Sequence, residues 1–211
     1  MEKKFFFIDC GSNIGDTIEL FLQKYKNAKK YQIIAFEPNK DLAKYYKRFT
    51  NVVLYQKAVW IADETKKFYV GTKNQHSTNS RLDDFYYGRK KTKYKTEPEI
   101  VECIDFSQYI KSNFNLKDNI ILKMDIEGAE YFVLTKMITD NTISYINEIY
   151  IEFHETQNTQ SFDKNKILKK IQEMGVKISG NFNGGVEFKN IFENQCKLYI
   201  KKKLKYLLGK Q

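Results

Sequence analysis

Short runs of apolar, β-favouring residues recur along this chain, and segments of helical periodicity separate them. The runs are Phe5–Asp9, Gln32–Phe36, Asn51–Val59, Ile120–Ile126 and Ile149–Phe153. Between the first two, Asp16–Asn27 carries Ile18, Leu20, Phe21, Leu22 and Tyr25; after the second, Lys40–Phe49 carries Leu42, Ala43, Tyr45, Tyr46 and Phe49. That spacing predicts helices. Strands apolar on both faces must be covered on both, so this alternation predicts an α/β fold with a parallel sheet between two helical layers. Right-handed crossovers make it doubly wound. Two stretches break the pattern. Residues 71–98 are polar and Tyr-rich, and loops of that length are usually functional or disordered. Near the end, strand-like pieces at Val176–Ser179 and Cys196–Ile200 flank the turn-rich Asn181–Gly185, which predicts an antiparallel C-terminal hairpin. With no repeat and no linker, one domain over residues 1–211 is expected.

In a doubly wound sheet the ligand lies at the carboxyl ends of the strands. The first strand ends in IDCGSNIGDT, residues 8–17, where Gly11 and Gly15 bring the backbone close to whatever binds. A dinucleotide fingerprint wants glycines at 13 and 16; this chain has Asn13 and Asp16. Helix N-termini attract phosphate through their amides and dipole. Asp9 and Asp16 offset that field, so a cationic cofactor without phosphate suits the loop better. S-adenosylmethionine, with its sulfonium and ammonium, has that pattern. Glu37 ends the second strand about 20 residues after the glycines, where an acid can hold ribose hydroxyls, and Pro38 suits the turn that follows.

Composition narrows the partners. The net charge is +10, yet only three of the 36 basic residues are Arg. Arg is the residue that reads bases and clamps phosphates, so the charge is better explained by Lys-rich usage than by a nucleic-acid interface. The local basic runs, Arg89–Lys95 and the acid-free tail from Lys197, read as solvated surface or as contacts for a polyanion or membrane surface. Cys10, Cys103 and Cys196 are scattered and form no CxxC pair, which fits small buried residues in a reducing compartment. No apolar run reaches the ~18 residues of a membrane span, and Asp9 ends the N-terminal apolar stretch too early for a signal peptide. A soluble, cytoplasmic chain is expected.

With IDCGSNIGDT, AFEPNKDL (residues 35–42), KAVW (57–60) and LKMDIEGAE (122–130), the chain resembles the FkbM-type S-adenosylmethionine-dependent methyltransferases. The blocks stand in the family's order over roughly residues 5–155, and the D-x-E-G-x-E block is the most specific. The resemblance implies a Rossmann-like, seven-stranded methyltransferase sheet and methylation of hydroxyls, often on sugars or polyketides. It also implies cofactor contacts from Asp9, Gly11 and Asn13 at the methionine end, Glu37 at the ribose, and Ala58-Val59 near the adenine. Gly15 and Pro38 complete the two turns, and Ser77 is a candidate to approach from the long loop.

Methyl transfer to an alcohol needs a base or a metal to activate the hydroxyl. Lys123, Asp125 and Glu127 alternate along the fourth strand, as do Glu152 and His154 along the fifth, so each set shares a side if the chain stays extended. The catalytic candidates are Asp125, His154 and Lys123. Asp125, Glu127 and Glu152 are also candidates to hold Mg²⁺ or Mn²⁺, which prefer carboxylate oxygens. Plainer roles stand beside these: Lys123 paired with Asp125, His154 as a hydrogen-bonded strand end, Glu127 and Glu130 as acids at a helix N-terminus, and His76 as a loop residue. The expected activity is O-methylation of a sugar hydroxyl in a glycan or glycosylated product. Two alternatives stay open. One is an RNA 2′-hydroxyl methyltransferase; the D/N-P-P-Y/F motif that base amino-methylases typically carry cannot form with Pro38 and Pro98 as the only prolines. The other is an inactive cofactor-fold binding subunit. The acceptor sugar and the oligomeric state are not encoded in any motif.

Overall fold

The computed structural model describes residues 2–71, 80–85 and 97–179. Its main sheet is built from β1 (Phe5–Cys10), β2 (Gln32–Phe36), β3 (Val52–Tyr55), β8 (Asn119–Met124), β9 (Ile146–Ile151) and β10 (Lys177–Ile178). The spatial order is β10-β9-β8-β1-β2-β3, and every described pairing in it is parallel. Side chains alternate across the strands. Phe6, Ile8 and Cys10 of β1 and Ile120, Leu122 and Met124 of β8 join a core with α2 (Phe106–Asn113), α3 (Glu130–Thr139) and α4 (Lys164–Glu173). Phe7, Ile33 and Ile121 point the other way and pack on Ile18 and Phe21 of α1 (Asp16–Lys24), with the Phe7 and Phe21 rings stacked at 4.1 Å. Helices thus cover both faces, as the doubly apolar strands require.

A second sheet, ordered β4-β7-β5-β6, is made of β4 (Ala58–Trp60), β5 (Thr65–Tyr69), β6 (Arg81–Leu82) and β7 (Glu99–Asp105). Only β4 and β7 run parallel; β5 pairs antiparallel with both neighbours. Trp60 and Phe85 of this unit pack on Ala129 and Phe132 at the start of α3, which fixes the sheet beside the carboxyl end of β8.

Two expectations change here. The run Asn51–Val59 is two strands in two sheets: Val52–Tyr55 forms the half-buried edge of the main sheet, and after Gln56-Lys57 the buried Ala58–Trp60 opens the second. Residues 80–85, inside the polar stretch 71–98, form β6 and a turn of 3₁₀-helix at Asp83–Phe85, with Phe85 fully buried. Val176–Ser179 contributes β10, which lies parallel to β9. Its expected hairpin partner, Cys196–Ile200, lies outside the described residues, among which the main sheet holds six strands. Among the described residues no helix is long and apolar enough to cross a membrane.

Candidate active site

The strand order reverses beside β1: β2 lies on one side and β8 on the other, so the loops leaving β1 and β8 meet at the switch point where such sheets bind ligands. The two loops touch. Asp125 N donates to Cys10 O at 3.2 Å. Gly11 has φ +74, and a Cβ on it would lie 1.8 Å from the carbonyl oxygen of Asp125, so no side chain fits. The rest of the glycine loop is held from behind by the 3₁₀-helix Lys40–Arg48. There the Tyr46 hydroxyl contacts the Ser12 hydroxyl and donates to Asn13 O at 2.8 Å. Leu42 and Tyr46, one helical repeat apart, are that segment's buried residues.

Asp9 and Lys123 are direct neighbours in the β1–β8 register and share the α1 face. Both are buried. Lys123 Nζ sits 3.2 Å from Asp9 Oδ1 and 3.3 Å from Asp125 Oδ2, and donates to Gly11 O at 2.8 Å. Burial opposes its charge, but Asp9 and Asp125 outweigh that and hold the ammonium protonated well above the ordinary Lys range. Burial pushes Asp9 the other way, up from the usual carboxylate range against the pull of Lys123. Lys123 thus ties the glycine loop to the end of β8.

These pairings revise the charge argument for the loop. Asp9 is matched by Lys123, and Asp16 and Glu19 face Arg48 at 3.5 and 3.3 Å on the surface. The acid that disfavours phosphate is Glu37. Its Oε2 accepts the Asn13 amide at 2.9 Å and its Oε1 the Asn39 amide at 2.8 Å. The loop amide that could grip a phosphate is therefore already bound to a carboxylate. Burial raises the Glu37 pKa to about 7, against the lowering effect of the two amides. Each oxygen keeps a lone pair for a further donor.

On the other side of Asp125 the chain turns sharply. Glu127 has φ +57 and Gly128 φ +116, where a Cβ would meet Thr156 and Phe85 at about 3 Å. The strand therefore does not stay extended through Glu127, yet the turn still returns Glu127 to the same cluster. Glu130, the first residue of α3, is fully buried and reaches back to accept the amides of Ile126 at 2.8 Å and Gly128 at 2.9 Å. From the end of β9, His154 enters the middle of four carboxylates. Its Nδ1 donates to Glu130 Oε1 at 3.1 Å and lies 3.9 Å from Asp125 Oδ1; its Nε2 lies 3.9 Å from Glu127 Oε2 and 3.7 Å from Glu152 Oε1. Burial alone would lower its pKa, but Glu130 foremost, then Glu127 and Asp125, push it up to about 10. Arg81 of β6, itself buried, closes the far side with Nη2 2.6 Å from Glu127 Oε2. Burial raises Glu127 above the ordinary range, opposed by His154 and Arg81.

Of the residues the sequence points to, the fold gathers Asp9, Gly11, Asn13, Gly15, Glu37 and Pro38 around the glycine loop, and Asp125, Glu127, Glu152 and His154 into the acidic cluster next to it. Ala58 and Val59 sit in β4 with their side chains in the core. Ser77 and His76 lie outside the described residues. Two members of the cluster escape the sequence reading. Glu130 looks like an acid favoured by the α3 dipole, and only its return to the amides of Ile126 and Gly128, four and two residues back, betrays another task. Arg81 lies in a polar stretch with no periodicity to single it out.

The sequence profile of the methyltransferase FkbM domain matches residues 9–178, most of the chain and all of the site described above. No curated protein and no solved structure matches it.

Proposed function

The chain belongs to the FkbM methyltransferase family, and from that membership we propose that it transfers the methyl group of S-adenosylmethionine to a sugar hydroxyl of a glycan or glycosylated product. The observation that carries the reading is the carboxylate–imidazole cluster abutting the glycine loop, where Asp125 shares backbone contacts with Cys10 and Gly11. A cofactor lying on that loop, with its ribose hydroxyls on Glu37, would bring its methyl group to the cluster. In the transfer the acceptor oxygen attacks the methyl carbon, the carbon–sulfur bond breaks, and the hydroxyl proton must leave. Asp125, the partly exposed member at the loop, is the group to take it. His154, held as an imidazolium, is poorly suited to be that base; its part is to orient the carboxylates. Lys123 is a positioning residue, since it is buried beneath the loop. Carboxylates are good partners for sugar hydroxyls and poor ones for a phosphodiester, which favours a glycan over an RNA 2′-hydroxyl despite the overall positive charge.

Incubation with labelled S-adenosylmethionine and a glycan panel is expected to yield S-adenosylhomocysteine. Asp125→Asn, which keeps the shape and removes the base, is expected to lower kcat at least about 10²-fold while cofactor Kd moves little. An unchanged kcat would remove Asp125 from this role. An acceptor found only among RNAs, with a steep salt dependence of binding, would replace the sugar reading.

Glu37 makes cofactor affinity pH-dependent. Its carboxylate must be ionised to accept ribose hydroxyls, and the free protein's pKa is about 7. Binding therefore takes place at full strength above pH 7 and weakens by about tenfold for each unit below it. Calorimetry from pH 6 to 8.5 should trace this slope, and Glu37→Gln should bind weakly with a flat profile. A wild-type Kd independent of pH would show that the carboxylate does not touch the cofactor.

A further inference from the structure

We propose that Asp125, Glu130 and His154 form a site for one hard divalent cation, Mn²⁺ or Mg²⁺, rather than the Asp125, Glu127 and Glu152 set that strand alternation suggests. This deepens the site reading above: with the ion bound, Asp125 is a ligand rather than the proton acceptor and His154 a neutral imidazole, and the test does not depend on methyl transfer. One ligand atom from each of the three residues lies within 4.8 Å of the other two. Donors about 2.1 Å from a six-coordinate cation lie about 3 Å apart when adjacent and about 4 Å apart when opposite. The Nδ1 to Glu130 Oε1 separation of 3.1 Å already fits an adjacent pair, and Asp125 Oδ1 at 3.9 Å from Nδ1 needs to close by less than 1 Å. In that arrangement the cation takes the place of the Nδ1 proton.

The three donors differ in how they are held. Glu130 is fixed: Ile126 N and Gly128 N each occupy one lone pair on its two oxygens, and Oε1 also meets His154 Nδ1. Asp125 and His154 are 31% and 24% exposed at the side chain, so an ion and its waters can reach them. Glu127 is otherwise engaged. Its Oε2, the oxygen nearest His154, is bound by the buried Arg81 at 2.6 Å, and a guanidinium so close discourages a second cation on the same oxygen. Charge points the same way. Among the described residues, the carboxylates of Asp125, Glu127, Glu130 and Glu152 all approach the one imidazole of His154 within 4 Å, so a second positive charge there is favoured. The donor set of two carboxylates and one imidazole suits Mn²⁺ better than Mg²⁺, because Mn²⁺ accepts nitrogen more readily.

The test is Mn²⁺ binding to the full chain after chelator treatment, read by loss of the free-ion electron paramagnetic resonance signal and by calorimetry, with no cofactor or acceptor present. One Mn²⁺ per chain is expected. Asp125→Asn and His154→Gln should each weaken it at least tenfold, Glu127→Gln should weaken it less than either, through lost charge alone, and the exposed Glu155→Gln should change it less than threefold. Thermal melts establish which variants fold, and if His154→Gln does not, Asp125→Asn decides. No uptake by the folded wild type overturns the site, as does loss in Glu127→Gln with retention in Asp125→Asn. Methyl transfer that persists in EDTA, together with no Mn²⁺ uptake, would remove the metal and leave the methyltransferase reading intact. Mn²⁺ uptake without any methyl transfer would do the reverse.

Discussion

Gly11→Ala is expected to abolish S-adenosylmethionine binding and to lower the urea midpoint of unfolding well below that of the wild type. Two independent costs combine at this residue. Its φ of +74 is open to glycine and strained for alanine, and strain of that kind costs about 1–3 kcal/mol. The new Cβ would also stand 1.8 Å from the Asp125 carbonyl oxygen, a backbone atom that cannot rotate away. Relief requires the β1 and β8 loops to separate, which breaks the Asp125–Cys10 hydrogen bond and moves Lys123 off Gly11 O. Loss of binding therefore accompanies loss of stability. Gly175→Ala is the comparison: its φ is also positive, at +83, but a Cβ there meets nothing within 4 Å. It should show only the strain. If the two variants melt alike, the close approach of the two loops is not a determinant of stability.

Removing the buried ammonium should be nearly as damaging. Lys123→Met leaves Asp9 wholly buried with no cation, takes the partner from one oxygen of Asp125, and frees the carbonyl of Gly11. Breaking one side of a buried ion pair costs about 3–5 kcal/mol, because the remaining charge keeps its desolvation penalty. The pH dependence has a definite sign. Asp9 is already raised by burial, and without Lys123 it rises further. A carboxyl with a raised folded-state pKa destabilises the fold progressively as pH climbs above its unfolded value. The deficit of Lys123→Met should therefore shrink toward low pH and grow as pH rises toward the raised folded-state pKa. Adding Asp9→Asn should recover at least half of it at pH 7, a coupling that a double-mutant cycle measures. A single variant within 1 kcal/mol of wild type would mean that the ammonium is not what holds this junction.

The parts of the fold that the linear sequence makes legible are those governed by local pattern. Phe5–Asp9 and Gln32–Phe36 read as strands buried on both faces, and they are the centre of the sheet. Leu42 and Tyr46 read as one face of a helical segment, and they back the glycine loop. Local pattern fails where membership of a sheet is at stake. The run Asn51–Val59 looks uniform, yet half of it edges one sheet and half opens another, because strand propensity carries no information about the partner strand. It fails again at Arg81, whose two-residue strand is too short for any periodicity.

The candidate site divides along the same line. Gly11, Gly15, Glu37 and Asp125 could be picked out from spacing alone, since turns at strand ends demand particular residues at particular places. Glu130 could not be separated from an ordinary helix-start acid. Its distinction is that both its oxygens turn back to amides and that His154, 24 residues later, arrives beside it. Likewise Asp9 repels phosphate only while its charge is free, whereas the fold supplies Lys123 from a strand 114 positions on in the chain and gives the repelling part to Glu37.

Residue order by itself thus determined the layered α/β architecture and the position of the glycine loop, because both follow from period, turn chemistry and burial within a few residues. The tertiary structure alone decided which acids are neutralised, which stay available and which residues surround His154. The reason is physical: the energy of a charge depends on its nearest partner and its exposure to water, and both are set by strands that are neighbours in space and far apart in the chain.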